Sequence, residues 1–334
     1  LTALIEEPFT LMKKRDIHVP YDFFEYVRVT DSTPAADRAR IDVALLDMNH
    51  AWPNVGHDSL AHVILEAAES FGEQLAETGR KVRLLSYDVR GRMMLPEAQD
   101  GRFQLFVGTG GPGHLDPREN DGVKAWSQGV DEDPAWEAPL FRLFDDILAS
   151  REAAMFAVCH SFGLVCRWSG VAAPRLREEK STGMPLNRLS REALRHPWFS
   201  QFARELPDHQ HFRVIDNRLF DLMLEDTGKS IPVAFEAAGS TALTMIELAR
   251  HADGMPRFLG MNHHPEIIDR DHFRQVLDEK LAHHEVDQQW CDEREGTIRE
   301  LFGDPEKERH SRLTSHYTLF EPLRHQLGRI IRAA

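Results

Sequence analysis

The chain has 334 residues, 42% of them apolar and 28% charged, with a formal net charge of −14. That apolar share supports a sizeable core and argues against wholesale disorder, and the length suits one large α/β domain with extensions or two ordinary domains. An acidic balance offers no general attraction for nucleic acid or an anionic membrane surface, and no apolar run approaches the ~20 residues of a membrane-spanning helix.

Cys159, Cys166 and Cys291 cannot all pair with one another and form no CxxC motif. A reducing, cytoplasmic compartment is expected. Leu1 to Pro20 mixes acidic and basic residues with its apolar ones and is not read as a signal peptide. It lacks an initiator Met, so the natural chain is expected to begin further upstream.

Residues 1–40 show no clear period and are read as an N-terminal arm packed on the main domain. Val43–Leu46 is a short apolar run of the kind found in buried strands. Leu60, Val63, Ile64, Ala67, Ala68, Phe71 and Leu75 fall on one helical face, with Gly79 placed as a C-cap. Strands are predicted at Val82–Tyr87, Phe103–Val107 and Met155–Val158, with a helix through Leu140, Phe141, Phe144, Ile147 and Leu148 before the last of them. From Gly170 to Leu206 the pattern breaks down. Short strand-like pieces at Phe212–Ile215, Leu219–Leu224 and Pro232–Phe235 suggest a small irregular or antiparallel flap, and Phe258–Met261 a last core strand. Residues 271–334 are rich in charge and helix formers, with Phe273, Val276, Leu277 and Leu281 at helical spacing, and predict a helical C-terminal extension. Strand–helix alternation with apolar strands predicts an α/β, three-layer, flavodoxin-like fold: a mainly parallel sheet with helices on both faces. Chemistry in such sheets collects at the carboxyl ends of the strands.

Three loops sit at such ends. Cys159 follows a strand directly and runs into His160-Ser-Phe-Gly163, the pattern of a nucleophile elbow; a buried, inert cysteine is the plainer alternative. Gly108-Thr-Gly-Gly-Pro-Gly113 could present backbone N–H groups to an oxyanion, or could be a tight turn; it lacks the Lys-Ser/Thr of a Walker phosphate loop. Asn262-His-His-Pro-Glu266 offers a base and a carboxylate two residues apart; a surface turn and a metal site are the competing readings, but no third ligand stands at a suitable spacing, and no metal or cofactor is expected.

In this order the three loops resemble the class I glutamine amidotransferases, over about residues 41–270, and look nearest to the glutaminase domain of GMP synthase. The resemblance implies Cys159 as nucleophile, His264 as base and Glu266 as its orienting acid. It implies an oxyanion hole at the backbone N–H groups of Gly111 and His160, with Gly113 beside them. Lys180-Ser-Thr-Gly183 and His196-Pro-Trp-Phe199 resemble that family's flap region, and Phe162, Trp168 and His160 are expected around the pocket. The family's elbow reads Gly-x-Cys-x-Gly-x-Gln; here Ala157, Ser161 and Gly163 occupy the corresponding places, and the Gln that helps to hold glutamine is absent. The expected substrate is a small molecule, glutamine or a related amide, with a separate synthetase as partner for the released ammonia. A γ-glutamyl hydrolase or acyltransferase using the same triad is the alternative, and a non-catalytic binding relative the third.

Overall fold

In the computed structural model, residues 23–333 are described apart from 51–53, 98–100, 227, 229, 238–240, 269 and 283–285. The strands are β1 (Phe24–Val29), β2 (Arg40–Asp47), β3 (Lys81–Asp88), β4 (Leu105–Gly108), β5 (Ala154–Val158), β6 (Ala172–Gly183), β7 (Leu186–Leu189), β8 (His211–Arg213), β9 (Asp216–Leu224), β10 (Ile231–Glu236), β11 (Ala242–Arg250) and β12 (Pro256–Met261). The helices are α1 (Val55–Glu69), α2 (Gly72–Thr78), the single turn α3 (Val89–Arg92), α4 (Glu137–Ala149), α5 (His160–Ser169), α6 (Phe199–Glu205), α7 (Arg270–Ala282), α8 (Gln288–Leu301), α9 (Pro305–Ser315) and α10 (Glu321–Ala333).

Six strands form a parallel block in the order β1-β3-β2-β4-β5-β12. The apolar runs of β2 to β5 and β12 explain this: both faces of these strands are covered, so both alternating sets of side chains are largely apolar. In β2, Val43 and Leu45 pack with α1 and α10, while Ala44 and Leu46 pack with α4 and α5 on the other face. Val43–Leu46, Leu84, Leu85, Phe106, Val107 and Phe156–Val158 are all fully buried, as their sequence predicts. The fold is the expected α/β class.

Beyond β12 the sheet turns antiparallel. β11 pairs with β12, β10 with β11, β7 with β10 and β8 with β7, while β9 joins β11 to β6. The expected flap is therefore antiparallel and continuous with the main sheet. Residues 170–206, which show no period in sequence, hold β6, β7 and α6. β1, within the supposed arm, is an edge strand parallel to β3; residues 1–22 lie outside the described ones. The single helix expected through Leu75 is two: α1 ends at Glu69, Phe71 leaves helical geometry, and α2 ends on Gly79 at φ 64°. The break sets the Phe71 ring against α10, where a Cβ on Gly328 would lie 2.8 Å from its Cζ.

The C-terminal segment is helical. α10 closes one face of the core, and Lys280 of α7 reaches Asp58 of α1 at 3.3 Å. Phe273 and Leu277 are buried in a satellite cluster; the side chain of Val276 lies outside the described residues. Among the described residues, no helix is long and apolar enough to cross a membrane.

Candidate active site

β5 ends at Val158 and α5 begins at His160, so Cys159 makes the turn alone, at φ 52° and ψ −105°. A side chain in that region costs about 1–3 kcal/mol and survives where neighbours over-determine it. Here the Cys159 N–H donates to the Met261 carbonyl on β12 at 2.8 Å, and the Gly163 N–H donates to the Cys159 carbonyl at 3.0 Å. The turn leaves Cys159 half-buried, while Cys166, two turns along α5, is fully buried.

β12 brings in the second loop. The His264 N–H donates to Ile215 at 2.8 Å, and its Nδ1 lies 2.8 Å from Glu266 Oε1. With Nδ1 engaged by Glu266, the rest of the ring lies beside Cys159: one point, the Cβ position of Gly110, is within 4 Å of both His264 Cε1 and the Cys159 sulfur. Burial works to lower the His264 pKa, but the Glu266 carboxylate and the Cys159 sulfur outweigh burial and hold it well above the usual histidine value. Glu266 is buried against the first turn of α1, where a Cβ on Gly56 would come within 2.9 Å of Oε1. Glycine makes that room. The adjacent His263 behaves oppositely. It is buried edge-on to Phe212 and its pKa is pushed down to about 3 by burial, then by the charges of His264 and Arg218.

The glycine loop lies over this pair. A Cβ on Gly110 would fall 3.1 Å from His264 Cε1 and 3.7 Å from Cys159 Sγ; one on Gly111 would strike the Met48 carbonyl at 2.3 Å. The carbonyls of Thr109 and Gly110 are satisfied within the fold. Thr109 Oγ1 donates to Gly110 O at 2.7 Å, and Ser161 donates to Thr109 O through both its hydroxyl, at 2.7 Å, and its N–H. Among the described residues, the N–H groups of Gly110, Gly111 and His160 have no acceptor. The Gly113 N–H is already taken, by Gln128 Oε1 at 2.8 Å.

The flap-like segments are placed differently from each other. Ser181 of β6 donates to Asp216 at 2.6 Å close to the site, whereas His196 is buried against Glu247 at 3.0 Å and serves packing. Trp168 does not line the pocket; it stacks on Phe258 in the core, with ring centroids 5.8 Å apart. Among the described residues, no group of three or more His, Cys, Asp or Glu side chains is placed to hold a metal ion.

No protein-family model matches the sequence, and no curated protein matches it. Solved structures do resemble the fold. Its structural neighbours are glutamine amidotransferases. One, from Thermotoga maritima, shares 15% identity over 86% of this chain and 98% of its own, with a TM-score of 0.46. Another, from Methylobacillus flagellatus, shares 14% over 87% and 90%, with a TM-score of 0.44. A candidate GMP synthase component from Thermoplasma acidophilum shares 13% over 76% and 96%, with a TM-score of 0.39. Likeness at this level describes shape, and the roles of residues rest on the geometry above. Where the amidotransferase elbow carries Gln, a Cβ on Gly163 would lie 2.4 Å from Leu115 Cδ2, so that space is already occupied. Sequence reading also missed Arg90, which follows β3 and grips the glycine loop from behind: its Nη1 donates to Met48 O at 2.9 Å and Pro112 O at 2.7 Å. A lone arginine after a strand carries no motif that could have marked it.

Proposed function

We propose that this chain is a cysteine-nucleophile amidohydrolase of the glutamine amidotransferase type. The observation that carries the reading is Cys159, on a strained turn, beside an imidazole that is itself held by a buried carboxylate. In this mechanism the Cys159 sulfur, its proton on His264, attacks a carboxamide carbon. The carbonyl oxygen takes the negative charge and is met by the N–H groups of Gly111 and His160. His264 returns its proton to the nitrogen, the C–N bond breaks and ammonia leaves, with the acyl group as a thioester on Cys159. Water, deprotonated by His264, then releases the acid and the free thiol. Glu266 fixes the ring's orientation and stabilises the imidazolium. The ammonia is free, or passes to a separate synthetase. Ammonia release from glutamine by the purified chain, lost in Cys159→Ala, is the test; no release from glutamine or any amide tried, with Cys159→Ala indistinguishable from wild type, would sink the reading.

One observation favours a different acyl substrate for the same triad. Leu115 fills the place from which the amidotransferase Gln reaches its substrate, which supports a γ-glutamyl peptide hydrolase or an acyltransferase. Comparing kcat/KM for free glutamine and a γ-glutamyl peptide separates the two. Gly163→Gln alone should disturb α5, because Leu115 must move; paired with Leu115→Gly it should raise turnover of free glutamine if that is the substrate.

A further inference from the structure

The oxyanion-binding loop has no rigid element of its own; something must hold it. Gly111 lies between two carbonyls, those of Met48 and Pro112, and a single nitrogen of Arg90 donates to both. The rest of that guanidinium is committed too. Arg90 Nε and Nη2 donate to the two oxygens of Glu132 at 2.8 and 2.7 Å, and neither side chain is exposed to solvent. Glu132 is fixed in turn by Asn120 Nδ2 at 2.5 Å and Trp136 Nε1 at 3.2 Å, and the Asn120 Oδ1 receives the His114 N–H at 2.7 Å. So the segment after the loop folds back to grip the residue that grips the loop. Arg90 itself is set by the turn α3, whose Gly91 N–H is capped by Asp88 at 2.8 Å.

We propose that Arg90, locked by Glu132, is the positioning residue of the oxyanion-binding loop: by holding the carbonyls on either side of Gly111 it fixes the Gly111 N–H toward the sulfur of Cys159. The inference rests on the reading of Cys159 as an acyl-forming nucleophile. A planar, bidentate donor suits this task better than an ammonium, which can reach one partner well but not four acceptors in one plane. His160, the next residue of the elbow, is buried, and burial, then the charge of Arg90, lowers its pKa and keeps that ring in its neutral form.

Two reactions of one thiol separate the parts of the argument. Hydrolysis of p-nitrophenyl acetate passes through a tetrahedral oxyanion; alkylation by iodoacetamide does not. In wild type, ester hydrolysis should depend on Cys159. If Cys159→Ala hydrolyses the ester equally well, the reading of the site falls and this inference with it. Given that dependence, Arg90→Met should lower kcat for the ester by roughly 10–100-fold, less than outright loss of an oxyanion donor, with Arg90→Lys between it and wild type. KM and the alkylation rate should stay within about twofold. Should neither Arg90 variant fold, Glu132→Gln, which loosens the same fork while leaving Arg90 in place, is expected to lower kcat in the same selective way. Unchanged kcat in the folded variants, or alkylation that falls in step with it, would overturn the proposal.

Discussion

At the carboxyl ends of β5 and β12, Cys159 lies beside the ring of His264, whose Nδ1 is 2.8 Å from Glu266 Oε1. Elsewhere in the sheet Ser86 of β3 lies 3.0 Å from His57 Nε2, whose Nδ1 lies 2.9 Å from Asp58. Both sets join a hydroxyl or thiol, an imidazole and a carboxylate. They differ in their surroundings. Ser86 sits mid-strand, wholly buried, with Tyr26 also on the His57 ring and Asp58 held by Lys280. Cys159 sits past a strand end, half-buried, on a strained backbone beside N–H donors that have no acceptor among the described residues. Three hydrogen-bonded groups do not make a catalyst; access, a strand end and somewhere for negative charge to go are also needed.

The sharpest way to break that contrast is to remove each nucleophile. Cys159→Ala should cut turnover by a factor on the order of 10⁴ or more, while Ser86→Ala should leave kcat alone and cost about 1 kcal/mol in denaturant unfolding for a lost buried hydrogen bond. A large activity loss in Ser86→Ala would mean the buried set takes part after all. Glu266→Gln comes next, with an expected loss of roughly 10²–10⁴-fold. It also removes the largest influence raising His264, while burial remains, so the His264 pKa must fall. If the protonated ring is the acid that frees ammonia, the alkaline limb of the kcat profile should move to lower pH; an unmoved limb would assign that limb to another group.

Cysteine labelling sharpens the comparison within one residue type. Cys159 should react with iodoacetamide before Cys166, whose thiol burial pushes well up, and before Cys291, likewise buried and raised. Equal rates in the folded chain would remove the special standing of Cys159. The smallest effect belongs to the buried set. Burial works to raise the Asp58 carboxyl, but the charge of Lys280 and its bond with His57 outweigh it and bring the pKa to about 2, below the ordinary 3.8. That stability is present above 3.8 and lost as pH falls through about 2, and amounts to about 2 kcal/mol. Asp58→Asn should therefore lower stability at neutral pH and flatten its acid dependence, with turnover unaffected.

Much of this was legible. The apolar runs of β2 to β5 and β12 have few other places to go, and the three loops follow strands directly. What escaped did so for physical reasons. β11, Ala-Leu-Thr-Met-Ile-Glu-Leu-Ala-Arg, is built largely from good helix formers, and its strand state is set by β12 and β10 on either side. β6 has mostly exposed and half-exposed charged residues in its middle, so no alternation marks it. Arg90 and Leu115 act through partners far along the chain, Glu132 and Gly163, and distance in sequence hides such pairs. The expectation of His264 rather than His263 rests on its spacing to Glu266 and on the family resemblance; the depth at which His263 lies has no signal in sequence.

The backbone at Cys159 has a consequence for how such a protein ages under mutation. Its φ of 52° with ψ of −105° is a conformation that glycine adopts freely and cysteine does not. A change to glycine would relax the turn, so an inactive Cys159→Gly protein should melt above the active one. Drift that ignores function would then run downhill toward a firmer, silent chain, and cysteine can persist at this position only while its chemistry is being selected.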